Sequence, residues 1–183
     1  MEWKRFNMSN LRLIDDTTVS GVASVNITDV FTSDYDVYKV VATDYATTAG
    51  TAGRARLRFI NTSGNVITAS NYDHASLAIE AAGSYVDVKE QNVSYIDFVL
   101  YDNGETGGAS NGVWYIFNPF SSSSYDFVIF QEGHYQASYG PSTEMGNGVL
   151  KQTASMSGYN VYSQGGSSAF NGRFRTYGLR VDS

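Results

Sequence analysis

The sequence predicts an all-β fold, a sandwich or barrel of about nine or ten short antiparallel strands. Three observations lead there. Runs rich in β-branched and aromatic residues recur along the chain and often alternate with polar residues, the two-residue period of a half-buried strand. Clusters of Gly, Ser, Thr, Asn and Asp separate these runs and supply positive φ or side-chain-to-backbone turn bonds. No long segment keeps an unbroken 3.6-residue apolar period, and only 16% of the 183 residues are charged, too few for helices with charged outer faces.

The first segment, MEWKRFNMSNLRLI, lacks turn punctuation and carries Lys4, Arg5 and Arg12. It predicts an arm or an edge strand over residues 1–14, ahead of a sandwich domain over 15–183. VASVNITDVF and YDVYKVVATDY are the first strand runs, joined by the turn TSDYD. In RARLRFIN, Ala55, Leu57 and Phe59 point one way and Arg54, Arg56 and Arg58 the other, toward solvent or an interface. HASLAIE reads as a strand followed by a loop around Gly83, and YIDFVLYD, GVWYIF, YDFVIFQ and VYS are further strand runs. Alternation sends Trp114 and Ile116 to one face and Tyr115 and Phe117 to the other, so one of these pairs is core. GRFRTYGLRV closes the series, with Phe174, Thr176 and Gly178 opposite Arg173, Arg175 and Tyr177 and the alternation failing near the glycine. TTAGTAG, NTSGN, DNGETGGASNG, NPFSSSS, YGPSTEMGNG and SQGGSSAFNG are expected to be turns or loops.

Composition excludes several classes of function. The absence of cysteine rules out disulfides and thiolate metal sites. A net charge of −6, thinly spread, does not make the basic stripe of a nucleic-acid binder. No stretch approaches the ~20 apolar residues of a membrane span, and the N-terminal segment has no apolar core of signal-sequence length. A chain of this size buries roughly 70% of its unfolded surface, so it needs no staples.

Each candidate for chemistry has a local explanation. Asp34 and Asp36 would share a strand face, as acid–base carboxylates or Ca²⁺ ligands do. No glycine-bearing calcium loop follows them, so a turn with Ser33 and Asp34 bonding local amides is the expectation. GASNG, Gly108 to Gly112, matches a nucleophile elbow around Ser110, but the run after it is strand-like where that motif requires a helix. His74 and His134 have no second histidine at metal-ligand spacing, so a zinc site would have to be assembled from distant segments. His134, beside Tyr135 and near Glu132, is expected to be a hydrogen-bonded loop residue. Asp102 and Glu105 flank Asn103-Gly104, a hairpin signal that explains them without Ca²⁺. No catalytic residue, metal or cofactor is expected. The Tyr, Ser, Gly and Asn content after about residue 101 suits adaptable contact surfaces, with Tyr115, His134, Tyr135 and Tyr139 as the candidate surface or ligand contacts.

The order of VFTSDYDVYKVV, a strand with Arg58 and Phe59, GVWYIFNPFSSSSYDFVIF and GRFRTYGLR resembles small virion structural proteins of tailed bacteriophages. That resemblance spans roughly Asn26 to Val181 and implies a jelly-roll-like β-sandwich with a short N-terminal arm. It implies a non-enzymatic fibre or tail component located in the virion, or alternatively a capsid-decoration protein. It further implies contact with other virion proteins and a homo-oligomer, a trimer where the protein is a fibre. The arm residues Trp3, Lys4, Arg5, Phe6 and Arg12 would dock to the particle. A host surface glycan is the candidate outward ligand, and a carbohydrate-binding or glycan-cleaving sandwich is the alternative from a different class.

Overall fold

The computed structural model describes residues 10–48, 52–83, 85–102, 104, 107–164 and 168–179. The candidate arm residues Trp3, Lys4, Arg5 and Phe6 lie outside them. The described residues form strands and connections with no helix: β1 (Leu11–Val22), β2 (Ser24–Ile27), β3 (Val37–Thr47), β4 (Gly53–Asn61), β5 (Tyr72–Glu80), β6 (Val86–Val93), β7 (Ile96–Asp102), β8 (Ser110–Phe117), β9 (Asp126–Gln136), β10 (Gly140–Leu150), β11 (Met156–Ser163) and β12 (Phe170–Leu179). An eight-stranded sheet runs β1-β12-β3-β8-β9-β10-β5-β6, and a four-stranded sheet runs β2-β11-β4-β7.

The pairings are nested. β1 lies antiparallel to β12, β2 to β11, β3 to β8 and β4 to β7, which is a long hairpin folded over on itself into two sheets, the jelly-roll wrapping. β5, β6, β9 and β10 are additions to that nest, and they extend only the larger sheet. The extension is one side of the molecule, beyond the edge strand β7 of the smaller sheet.

Between the sheets lies an aromatic core. Trp114, Tyr38, Tyr159, Phe31, Phe59 and Phe174 are all at most 1% exposed. Phe31 meets Tyr38 edge-on with centroids 4.7 Å apart, and Trp114 meets Tyr159 edge-on at 6.1 Å, the offset arrangements that ring quadrupoles favour. The indole Nε1 of Trp114 donates to the Val99 carbonyl at 3.0 Å, so the largest buried ring leaves no donor unmet. Trp114 and Ile116 are therefore the core pair of the VWYIF run.

The TSDYD stretch is the corner between β2 and β3. Thr32 donates its amide to the Tyr38 hydroxyl at 2.7 Å, and that hydroxyl donates back to the Thr32 carbonyl at 2.9 Å. Asp34 donates its amide to Thr32 Oγ1 at 3.2 Å, and Asp34 and Asp36 are both exposed. Thr32 thus supplies the local turn bond expected of Ser33 and Asp34.

Several boundaries depart from the sequence reading. β1 begins at Leu11, where Leu11 pairs with Leu179 and Arg12 with Gly178. Leu11 to Ile14, Arg12 included, are thus part of an edge strand, the second of the two readings offered for residues 1–14, and the sandwich begins before residue 15. The irregularity between Leu13 and Asp15 breaks the alternation that would have marked this strand. YGPSTEMGNG was expected to turn, yet it forms the first part of β10. Its glycines serve close packing: a Cβ on Gly146 would lie 2.6 Å from the Ala75 carbonyl and from the Phe130 ring, and one on Gly148 2.7 Å from the Ile96 side chain. Gly178, where alternation was expected to fail, keeps its inward position because a Cβ there would meet the Tyr35 ring at 2.6 Å. The loop expected after HASLAIE contains β6.

Candidate functional site

The outer face of the larger sheet is unusually apolar for a surface over β5, β10, β9 and β8. Register places Leu77, Met145, Gln131, Val113 and Val41 in one row across β5, β10, β9, β8 and β3, and Asn147, Ile129, Tyr115 and Lys39 in the next. Ile129 is 53% exposed, Phe127 50%, Met145 40% and Leu77 37%. Twist makes a cleft of about 600 Å³ here, lined by residues such as Leu77, Val113, Tyr115, Ile129, Gln131 and Met145 and by no charged side chain. Lys39 Nζ sits 6.0 Å from the centre of the Tyr115 ring at its margin. A contiguous exposed apolar surface of this kind marks a contact site.

The sequence held a signal for it. YDFVIFQ and VWYIF are apolar at both alternate positions, the composition of a strand covered on both faces. The sandwich covers only one. Leu77, Ile129 and Met145 were not among the candidates because their exposure depends on where the smaller sheet stops.

Of the candidate contact residues, Tyr115 lies in this cleft. Tyr135 is 51% exposed and lies six residues beyond Ile129 on β9, roughly 20 Å along the strand. Tyr139, 43% exposed, occupies the turn between β9 and β10, where its carbonyl accepts the Ala82 amide at 2.9 Å. His134 is corrected on both counts: it lies on strand β9 and not in a loop, and its side chain is only 4% exposed. It faces inward because it shares the inner face of β9 with Glu132. The structure therefore distributes the four residues over distinct places.

His134 belongs to a buried polar network on the inner face of the extension. Its Nδ1 bonds Glu132 Oε1 at 2.9 Å and its Nε2 bonds Gln136 Nε2 at 2.8 Å. The amide nitrogen is a donor, so Nε2 accepts and Nδ1 donates to the carboxylate. Ser110 Oγ donates to Glu132 Oε2 at 2.7 Å, and the Tyr101 ring stands edge-on to the imidazole at 4.9 Å. Serine, carboxylate and histidine are thus in contact, but the carboxylate stands between the other two. A serine nucleophile needs the imidazole at its hydroxyl. Ser110 opens strand β8, whereas the elbow motif opens a helix. Ser110 is 0% and Glu132 2% exposed.

Glu144, on the neighbouring strand and paired in register with Glu132, accepts a hydrogen bond from Ser76 Oγ. Burial pushes its carboxyl up to about 8, the Ser76 bond opposes this and the Glu132 carboxylate adds to it. Asp126, at the start of β9, is fully buried with no hydrogen-bond partner at either oxygen, and burial alone raises it to about 8. Asp102 accepts from the Thr47 amide and hydroxyl at 2.6 and 2.8 Å and from the Gly104 amide at 3.0 Å, which makes it a turn-building carboxylate. The arginines of β4 occupy the outer face of the smaller sheet: Arg56 pairs with Asp97 and stacks 3.7 Å above the Tyr95 ring, and Arg58 donates to the Ser94 carbonyl at 2.8 Å and covers Tyr162. Among the described residues, His74, Glu90 and Asp97 are the group whose donor atoms lie close enough to share a metal ion.

No protein-family model matches the chain, and no curated protein does. Solved structures give distant likenesses. A CBM2 module of the evolved Dit protein of Lactobacillus casei BL23 phage J-1 is 12% identical over 87% of this chain and 70% of that one, with a TM-score of 0.21. A family 7 alginate lyase in complex with substrate is 10% identical over 87% and 71%, with a TM-score of 0.25. Infectious bursal disease virus, Gx strain, gives 14% identity over 94% of this chain and 37% of that one, with a TM-score of 0.22. At these TM-scores none of them bears on what this chain does.

Proposed function

We propose that the chain is a non-enzymatic structural component of a tailed-phage particle, a fibre or tail protein that assembles as a homo-oligomer through the outer face of its larger sheet. The observation that supports this is the uncharged cleft around Leu77, Tyr115, Ile129 and Met145, with Phe127 exposed further along β9 on the same face. Aromatic residues and methionine without charge are the composition of the buried centre of an interface. A second protein surface suits this cleft better than a glycan, whose hydroxyls need more polar partners than Gln131 and Asn147 provide. The virion setting comes from the sequence resemblance and not from the geometry. Within that reading, Trp3, Lys4, Arg5 and Phe6 dock to the particle, and Tyr135 and Tyr139 face outward at the far end of β9.

Sedimentation velocity of the purified chain tests the contact. The wild type is expected to run as an oligomer and Leu77→Asp/Ile129→Asp as a folded monomer with an unchanged thermal transition. A wild type that stays monomeric at its highest soluble concentration contradicts the proposal. Saturable binding of a host glycan lost on Tyr115→Ala would assign the cleft to a sugar instead.

A further inference from the structure

Where β5 and β6, the outer edge of the larger sheet, meet β7, the edge of the smaller one, three side chains converge. His74 and Glu90 are direct cross-strand partners and so project from the same face; β7 brings Asp97. One donor atom from each lies within 4.8 Å of the other two. His74 Nε2 and Glu90 Oε2 are 3.7 Å apart, too far for a hydrogen bond.

His74 is the unusual member. Its side chain has no exposed surface, and neither ring nitrogen makes a well-formed hydrogen bond. Glu90 Oε2 is likewise shielded and without a partner. Tyr95 interacts with both, its backbone with His74 and its side chain with Glu90, but no well-formed bond reaches the imidazole nitrogens or Glu90 Oε2, and buried polar atoms left so are costly in a folded chain. A shared cation would meet both: two ligands of a tetrahedral zinc stand about 3.4 Å apart when each bond is about 2.0–2.1 Å. We propose that His74, Glu90 and Asp97 form a zinc-binding site that clamps β5 and β6 to β7.

The surroundings fit that use. Arg56 holds both Asp97 oxygens, from Nε to Oδ1 and from Nη2 to Oδ2, at 3.1 Å each. This fixes the carboxylate as an outer partner fixes a metal ligand. The Tyr95 ring carries Arg56 on one side and stands 6.0 Å from His74, which walls one side of the site. One imidazole and two carboxylates suit zinc, whereas Ca²⁺ and Mg²⁺ prefer all-oxygen shells. Glu90 is 41% exposed at its side chain, so ions have an entry path and the fourth position opens to water. The Arg56 charge opposes the cation and sets an upper limit on affinity. No metal was expected from sequence, because the three donors come from three strands and only the inter-sheet seam unites them.

Isothermal titration of the chelator-treated full chain with ZnCl2, paired with thermal unfolding, tests the site. The expected result is one zinc bound per chain, an upward shift in melting temperature, and no shift with CaCl2 or MgCl2. Glu90→Gln should weaken zinc by more than about tenfold and lose most of the shift while its metal-free melting temperature stays near wild type. His74→Gln should do the same to zinc affinity. Binding that either variant leaves unchanged overturns the proposal, as does a wild type that binds no zinc. A metal-independent ion pair also overturns it, and would appear as a Glu90→Gln protein destabilised without zinc and indifferent to it.

Discussion

Between β3 and β8 on one side and β5 and β10 on the other, the inner face of a single sheet changes from rings to polar groups. The nested strands present Tyr38, Val40, Trp114 and Ile116 to the smaller sheet, whereas the extension presents His74, Ser76, Ser142 and Glu144. The smaller sheet ends at β7, so a full second layer of side chains covers the nest and only one edge strand faces the extension. Apolar burial is strongest where two complete faces interdigitate. The extension mixes buried polar groups with Tyr72, Val128, Phe130 and Leu150 on its inner face and keeps Leu77, Ile129 and Met145 on its outer one. Core packing is therefore concentrated in the nest, while the contact surface spreads from the extension onto the outer face of β8, whose inner face carries Trp114.

Removing the nest's central ring should have the largest effect. Trp114→Ala is expected to cost about 3–5 kcal/mol in urea-induced unfolding, with no comparable loss for truncations of the outward Ile129. A smaller cost would mean that the core collapses around the gap.

Stability should fall next as pH rises. Asp126 and Glu144 have folded-state values of about 8 against ordinary values of 3.8 and 4.5. The stability from their neutral forms is fully present below about pH 4 and is lost as pH climbs through 8, at up to about 1.4 kcal/mol per pH unit for each group while it is ionised only when unfolded. Melting temperatures should thus drop from pH 5 to pH 9, and Asp126→Asn should flatten the drop. A melting temperature that rises over this interval contradicts the buried neutral carboxyls.

Tyr38→Phe removes both bonds to Thr32 at the corner and should cost about 1–3 kcal/mol, read by denaturant titration. Ser110→Ala, which leaves Glu132 Oε2 without its serine donor, should cost about 1 kcal/mol and leave the oligomeric state unchanged. Smallest of all, Asp16→Asn at the exposed pair with Arg173, 2.7 Å from Nε to Oδ1, should leave the melting temperature unchanged because solvent screens it.

The nest was more legible in the sequence than the extension. Alternation placed Ala55, Leu57 and Phe59 inward, and Phe174, Thr176 and Gly178 likewise, because each strand has one wet and one dry face. β10 was read as a turn because its glycines and Ser142 look like turn chemistry until Phe130 and Ile96 are seen to need the space. β6 was missed because most of its side chains are exposed, which leaves no apolar period. The contact face was half-visible through Tyr115 and invisible at Leu77 and Met145. The polar network joins β8, β9, β10 and β5, and such pairings between distant segments are not written in local pattern.

Backbone hydrogen exchange, resolved by strand, tests the division of labour most directly. Amides of β3, β8 and β11 should exchange only through global unfolding, while those of β5 and β6 exchange faster through local opening of a polar, one-sided edge. Protection of β5 and β6 equal to that of β3 would contradict it and make the extension part of the same cooperative core.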